Sequence, residues 1–178
     1  MKNFIKGVLA FGMIAMFACE GPMGPPGSPG LPGADGVTIV GQVFETDFIN
    51  FNSNNNFSTG FRDFPYTIEE TDKVLVYALW RIEDNVDVWR LLPQMNIEFS
   101  ELGIFFYNYE FTMFDYNIFM EGNFNLSQLP SEYRDNQIFR VVILPVDPMG
   151  ANARIDYSDF DGVMKLLDKT EEDIIKLN

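Results

Sequence analysis

The chain has 178 residues, enough for one domain and too few for two sizeable ones, and its 47% hydrophobic and 21% charged residues suit a folded protein. Its 26 acidic residues against 12 basic ones give a formal net charge of −14, which argues against nucleic acid as a partner. It has no histidine and a single cysteine, so histidine triads, histidine metal sites and intramolecular disulfides are all excluded.

Lys2 and Lys6 open the chain, and Gly7–Phe17 follows as an unbroken run of apolar or small residues. A run of about 11 residues matches the core of a signal peptide and is well short of the ~20 that span a bilayer. It ends in Met16-Phe17-Ala18-Cys19. A small residue before a lone cysteine at this point resembles the lipobox of bacterial lipoproteins, although Met16 and Phe17 depart from the usual residues there. The resemblance implies cleavage after residue 18, lipidation of Cys19 and attachment to the membrane through it. Two or more acyl chains hold stably where one is marginal. Removal of residues 1–18 takes away two bases and leaves 10 against 26 acids, a formal charge of −16.

Glycine then recurs at every third position from Gly21 to Gly36, in the triplets Gly-Pro-Met, Gly-Pro-Pro, Gly-Ser-Pro, Gly-Leu-Pro and Gly-Ala-Asp. This is the collagen-like Gly-X-Y pattern. Residues 19–36 are therefore expected to form a stalk, either a polyproline-II spacer of about 45–50 Å or the seed of a homotrimer. So short a coil recovers little of the entropy of association, which favours the spacer.

The remaining residues, 37–178, predict one acidic, β-rich domain. Val37–Asp47 reads as a strand and Asn50–Asn56 as a loop. In Lys73–Ile82, Val74, Val76, Ala78, Trp80 and Ile82 share one face while Leu75, Tyr77 and Leu79 share the other, which predicts a central strand. Glu83-Asp84-Asn85 is a turn, Val86–Leu92 a returning strand, and Pro93 its stop. Met95, Ile97 and Phe99 alternate as a half-buried strand does. Phe105, Tyr107, Tyr109, Phe111 and Met113 keep one parity, which changes after Phe114-Asp115 to Tyr116, Ile118 and Met120; this predicts a hairpin. Asn123–Gln137 is a long loop with a helical turn after Pro130, and Ile138–Leu144 is the last predicted strand. Ser158-x-x-Asp161 resembles a capping box before a short helix with Val163, Leu166 and Leu167 on its apolar stripe. The fold class is mainly β: an antiparallel β-sandwich, or a barrel, of about eight strands with a short C-terminal helix.

The layout as a whole resembles the small collagen-stub lipoproteins of Bacteroidota-type bacteria. Cys19-Glu20-Gly21-Pro22, the triplets to Gly36, the Val74–Trp80 strand with Trp89-Arg90-Leu91-Leu92-Pro93, and Phe139-Arg140-Val141-Val142 carry the resemblance. It implies a lipid-anchored protein of the cell envelope, at the outer membrane and facing either the periplasm or the surface. It implies no activity and no site residue beyond Cys19.

No catalytic, cofactor or metal signature stands out. Asp159, Asp161 and Asp168 fit positions 3, 5 and 12 of an EF-hand-type loop, but Tyr157 occupies position 1, and helix capping explains the acids better. The aromatic run 105–119 and both tryptophans, Trp80 and Trp89, read first as packing. Two function classes follow. The first is a non-catalytic β-sandwich module that binds a protein or glycan or has a structural role. The alternative is a glycan-acting hydrolase, which would require two carboxylates brought together in space.

Overall fold

The structure, a computed structural model, describes residues 41–96, 101–145 and 155–177. The predicted leader, Cys19 and the Gly-X-Y repeat lie outside them, as do Val37–Val40, Ile97 and Phe99 of the predicted strands. In chain order the strands are β1 (Gln42–Glu45), β2 (Arg62–Asp63), β3 (Lys73–Glu83), β4 (Val86–Leu91), β5 (Gln94–Asn96), β6 (Phe105–Phe111), β7 (Asp115–Gly122) and β8 (Phe139–Leu144). They are followed by helix α1 (Phe160–Leu166) and the two-residue strand β9 (Ile175–Lys176). A five-stranded sheet has the order β4-β3-β8-β1-β9, and a four-stranded sheet the order β2-β7-β6-β5. The arrangement is a β-sandwich rather than a closed barrel. All pairs are antiparallel except β1 with β9, where Phe44 lies opposite Ile175.

Strand parity divides the apolar residues between two layers. Val74, Val76 and Ala78 of β3, Phe139, Val141 and Ile143 of β8, and Phe44 of β1 meet Phe105, Tyr107, Tyr116, Ile118 and Met120 of the smaller sheet. The intervening residues Leu75, Tyr77, Val142, Leu144 and Val43 pack on the other face against Phe160, Val163 and Met164 of α1 and against Ile174. Both faces of the larger sheet are thus covered, which is why β3 and β8 read as nearly continuous apolar runs. Val76, Tyr77, Val141 and Val142 are completely buried. Each buried side chain of this size contributes about 1.5–3 kcal/mol by leaving water.

The predicted hairpin at Phe114-Asp115 is present. Tyr107 lies opposite Met120, Tyr109 opposite Ile118 and Phe111 opposite Tyr116, so the change of parity keeps the apolar residues on one face. The turn between β3 and β4 has two central residues, Asp84 and Asn85, both with positive φ, the geometry that matches strand twist. The predicted helical turn after Pro130 is Ser131–Tyr133, and a second one occupies Leu126–Gln128.

Two expectations need correction, and one strand adds to them. Ile138–Leu144 is not the last strand, because Ile175–Lys176 adds an edge beyond β1; its two residues are too few to show a period. Strand β2, equally short, also went unpredicted. The N-cap of α1 is Asp159, not Ser158: the Asp159 carboxylate accepts from the Gly162 amide at 3.0 Å, while Ser158 bonds to Asp156.

The chain enters the larger sheet at Gln42, opposite Ile143, which in turn faces Val74. Trp80 lies further along β3, about 20 Å from Val74 at the usual strand rise. Beyond Ala78, the last residue of β3 opposite β8, the β3–β4 hairpin runs on without a third strand beside it among the described residues. The hairpin therefore marks the end of the sheet remote from the point of entry.

Candidate functional site

At that remote end the two sheets part around a cleft of about 310 Å³. Ala78, Leu79, Trp80 and Arg81 line it from β3, Tyr107 from β6, and Glu132, Tyr133 and Gln137 from the loop before β8. A cleft of this size, with aromatic walls and a few polar groups, has the character of a small-molecule site.

A β-bulge shapes one wall. The β3–β4 register passes from Leu79 opposite Trp89 to Arg81 opposite Val88, leaving Trp80 as the extra residue. Strict alternation would send neighbouring side chains to opposite faces, whereas both Trp80 and Arg81 line the cleft. The same bulge breaks the predicted face: Ile82, expected beside Val76 and Ala78, is 65% exposed. Trp80 is correspondingly half-buried rather than a core residue. The Arg90 guanidinium stacks on its indole at 4.4 Å, and the Tyr107 ring meets it at right angles. Trp89 lies on the opposite face of the sheet, half-buried against Phe160 of α1.

The loop forming the other wall is tied down by backbone bonds. Ile49 and Gln137 exchange N–H···O bonds at 2.8 and 2.9 Å, and Phe51 N–H donates to the Arg134 carbonyl at 2.7 Å. The Asn136 amide donates to the Asn50 side chain at 2.8 Å. Asn136 has φ +54°, a conformation that asparagine tolerates better than most residues. The Asn50–Asn56 segment is thus an organised brace: Asn52 and Asn55 cap its one 3₁₀ turn reciprocally.

Tyr107 is almost wholly buried among Phe51, Phe105 and Phe139. Its hydroxyl donates to the Tyr133 carbonyl at 2.5 Å. Burial raises the phenol well above its ordinary pKa, so the hydroxyl keeps its proton at any physiological pH. Arg81 donates from Nε and Nη2 to Glu83 at 3.2 and 2.9 Å. Glu132 is the one carboxylate among the described residues lining the cleft, whereas hydrolysis of a glycosidic bond ordinarily uses two.

Of the residues singled out in the sequence, Cys19 lies outside the described ones. Asp159, Asp161 and Asp168 are not gathered around a common point: Asp159 caps α1, Asp161 lies in its first turn, and Asp168 follows its C-terminus with φ +53°. Tyr157 instead receives a hydrogen bond from Lys73 at its hydroxyl and one from Tyr77 at its carbonyl. Of the aromatic run, Phe105 and Tyr107 are core residues, whereas Phe111 and Phe114 are exposed. Glu132, Tyr133 and Gln137 carried no signal in the sequence beyond their place in a long loop.

Comparison of the chain with protein-family models, curated proteins and solved structures gave no match.

Proposed function

We propose that this is a lipid-anchored cell-envelope protein, held through Cys19 at the outer membrane, whose β-sandwich is a non-catalytic module that binds a neutral saccharide in the Trp80 cleft. The observation that carries the reading is the composition of the cleft: aromatic walls from Trp80, Tyr107 and Tyr133 beside the planar polar groups of Arg81, Glu132 and Gln137. Sugar rings offer apolar C–H faces to aromatic walls and hydroxyls to planar polar side chains. The two charged residues that line the cleft, Arg81 and Glu132, are of opposite sign, so the lining has no net formal charge, in keeping with a neutral ligand.

Two measurements test this. The first is calorimetry of the full-length chain, in a detergent without a sugar headgroup, against a panel of neutral mono- and oligosaccharides. One of them should bind, and Trp80→Ala should weaken it at least tenfold. If the whole panel fails to bind, or Trp80→Ala binds as tightly, the saccharide reading is wrong; capture of a protein partner through the same cleft would put a protein ligand in its place. The second is cell fractionation of Cys19→Ala, which should release the chain from the membrane fraction. Retention there with unchanged processing would refute the anchor.

A further inference from the structure

We infer that Gln137 is the specificity-determining residue of the cleft, its Oε1 accepting, together with the Tyr107 hydroxyl oxygen, the proton of one hydroxyl of the bound sugar. This rests on the saccharide reading and adds to it the atom that is read.

The side chain of Gln137 is held at both ends. Its backbone is fixed by the reciprocal bonds to Ile49. Its Nε2 donates to the Glu132 and Asp135 carbonyls, each at 2.8 Å. Both amide protons are thereby used, which settles which end of the amide is nitrogen and leaves Oε1 as the group still able to bond. That oxygen stands 3.4 Å from the Tyr107 hydroxyl. The single phenolic proton is already committed to the Tyr133 carbonyl at 2.5 Å, so the longer contact is at best a minor share of it.

Two acceptor oxygens of cleft-lining residues thus sit side by side, with no donor of full strength between them among the described residues. Neighbouring lone pairs gain most from a donor placed between them. A sugar hydroxyl supplies one proton to the pair and can turn its own oxygen elsewhere. An ether, a methyl group or a fluorine at that ring position supplies none and leaves both oxygens facing an acceptor or an apolar surface. Sites built to bond a hydroxyl reject analogues that lack it more strongly than apolar pockets reject added bulk. The acceptors are also preorganised, since neither side chain must change rotamer to use them.

The test uses the saccharide of the neutral panel that the full-length chain binds best, together with its monodeoxyfluoro analogues. At one ring position, fluorine for hydroxyl should weaken binding to the wild type about tenfold, the size of one or two neutral hydrogen bonds. In Gln137→Met, which keeps the length of the side chain but removes its amide, the parent sugar should bind more weakly and the penalty at that position should shrink to about twofold or less. Tyr107→Phe keeps the ring and removes the second acceptor, and should reduce the same penalty even if Gln137→Met fails to fold. A fluorine penalty of the same size in the variants and in the wild type would overturn the role of Gln137, while leaving saccharide binding by the cleft intact. No binding by the wild type to any member of the panel would instead overturn the underlying reading.

Discussion

Arg140 donates from Nη1 and Nη2 to the two carboxylate oxygens of Glu171, at 2.7 and 2.6 Å, and so fastens the C-terminal segment to the middle of the larger sheet. Arg140 points toward the helix side of β8, where its side chain is 3% exposed. Its Nε donates to Glu45, which lies directly opposite on β1, at 2.9 Å. The guanidinium also stacks on Trp89 at 4.0 Å and lies 5.0 Å from the centre of the Phe160 ring. Lys176 of β9 pairs with the other oxygen of Glu45. Sheet, helix and the β9 edge therefore meet at one cation.

Removing that cation should be the most damaging change to this network. Arg140→Ala leaves the largely buried Glu45 with only the exposed Lys176 as its cationic partner and opens space beneath Trp89 and Phe160. A loss of about 3–5 kcal/mol is expected, the range for breaking a buried pair from one side. Glu171→Ala leaves Arg140 bonded to Glu45 and removes only an exposed carboxylate, so about 1 kcal/mol is expected. Urea unfolding of both variants checks the order; equal losses would mean that the pairing with Glu45 does not matter.

The same network predicts sensitivity to acid. Burial pushes the Glu45 carboxyl up, but hydrogen bonds from Lys176 and Arg140, with their charges, outweigh it and hold the pKa below the usual carboxylate range. A group whose folded pKa is depressed contributes stability above its unfolded pKa, and that contribution is lost as the pH falls through the folded value. The wild type should therefore lose stability below about pH 4.5 more steeply than Glu45→Gln, whose side chain does not titrate. Urea midpoints at pH 7, 5, 4 and 3 give the comparison, and parallel curves would contradict it.

How much could be read from the sequence follows from how each feature is encoded. Strand β3 was legible because Val74, Val76 and Ala78 alternate with Leu75 and Tyr77, a pattern that needs no knowledge of neighbours. The hairpin at Phe114-Asp115 was legible for the same reason. Strands β2 and β9 are two residues each and exist only through their partners on β7 and β1. Trp80 looked like one more member of an apolar face, because a bulge changes the parity of side chains without changing the letters. Gln137 was the least legible: its backbone is held by Ile49, and its side chain meets Tyr107 from the other sheet.

The acids around α1 bear on calcium. The Asp159 carboxylate is used at the helix N-terminus, where it satisfies an amide that would otherwise lack a partner. Asp159→Ala should cost about 1 kcal/mol, typical of a lost N-cap, and by the same amount with millimolar calcium present or absent. Thermal unfolding of the full-length chain and the variant in calcium and in chelator separates the two explanations. A stabilisation by calcium that Asp159→Ala abolishes would identify a metal site instead of a cap.

The stalk proposed for residues 19–36 can be distinguished from an assembly device by a single methyl group. A collagen triple helix places every third residue at a crowded axis that admits only glycine, and one replacement there disrupts it locally. A lone polyproline-II strand has no such axis, and alanine fits its dihedral angles. Gly27 stands in the middle of the repeat, where fraying from either end is least. If residues 19–36 are a spacer, Gly27→Ala should leave the mass of the full-length chain in detergent unchanged, with both forms monomeric across a range of concentrations. Sedimentation with the detergent contribution matched out measures this directly. A trimeric wild type that dissociates on Gly27→Ala would show that the repeat assembles three chains, and the cleft of each domain would then act as one of three linked sites, where avidity and not single-site affinity sets the strength of attachment.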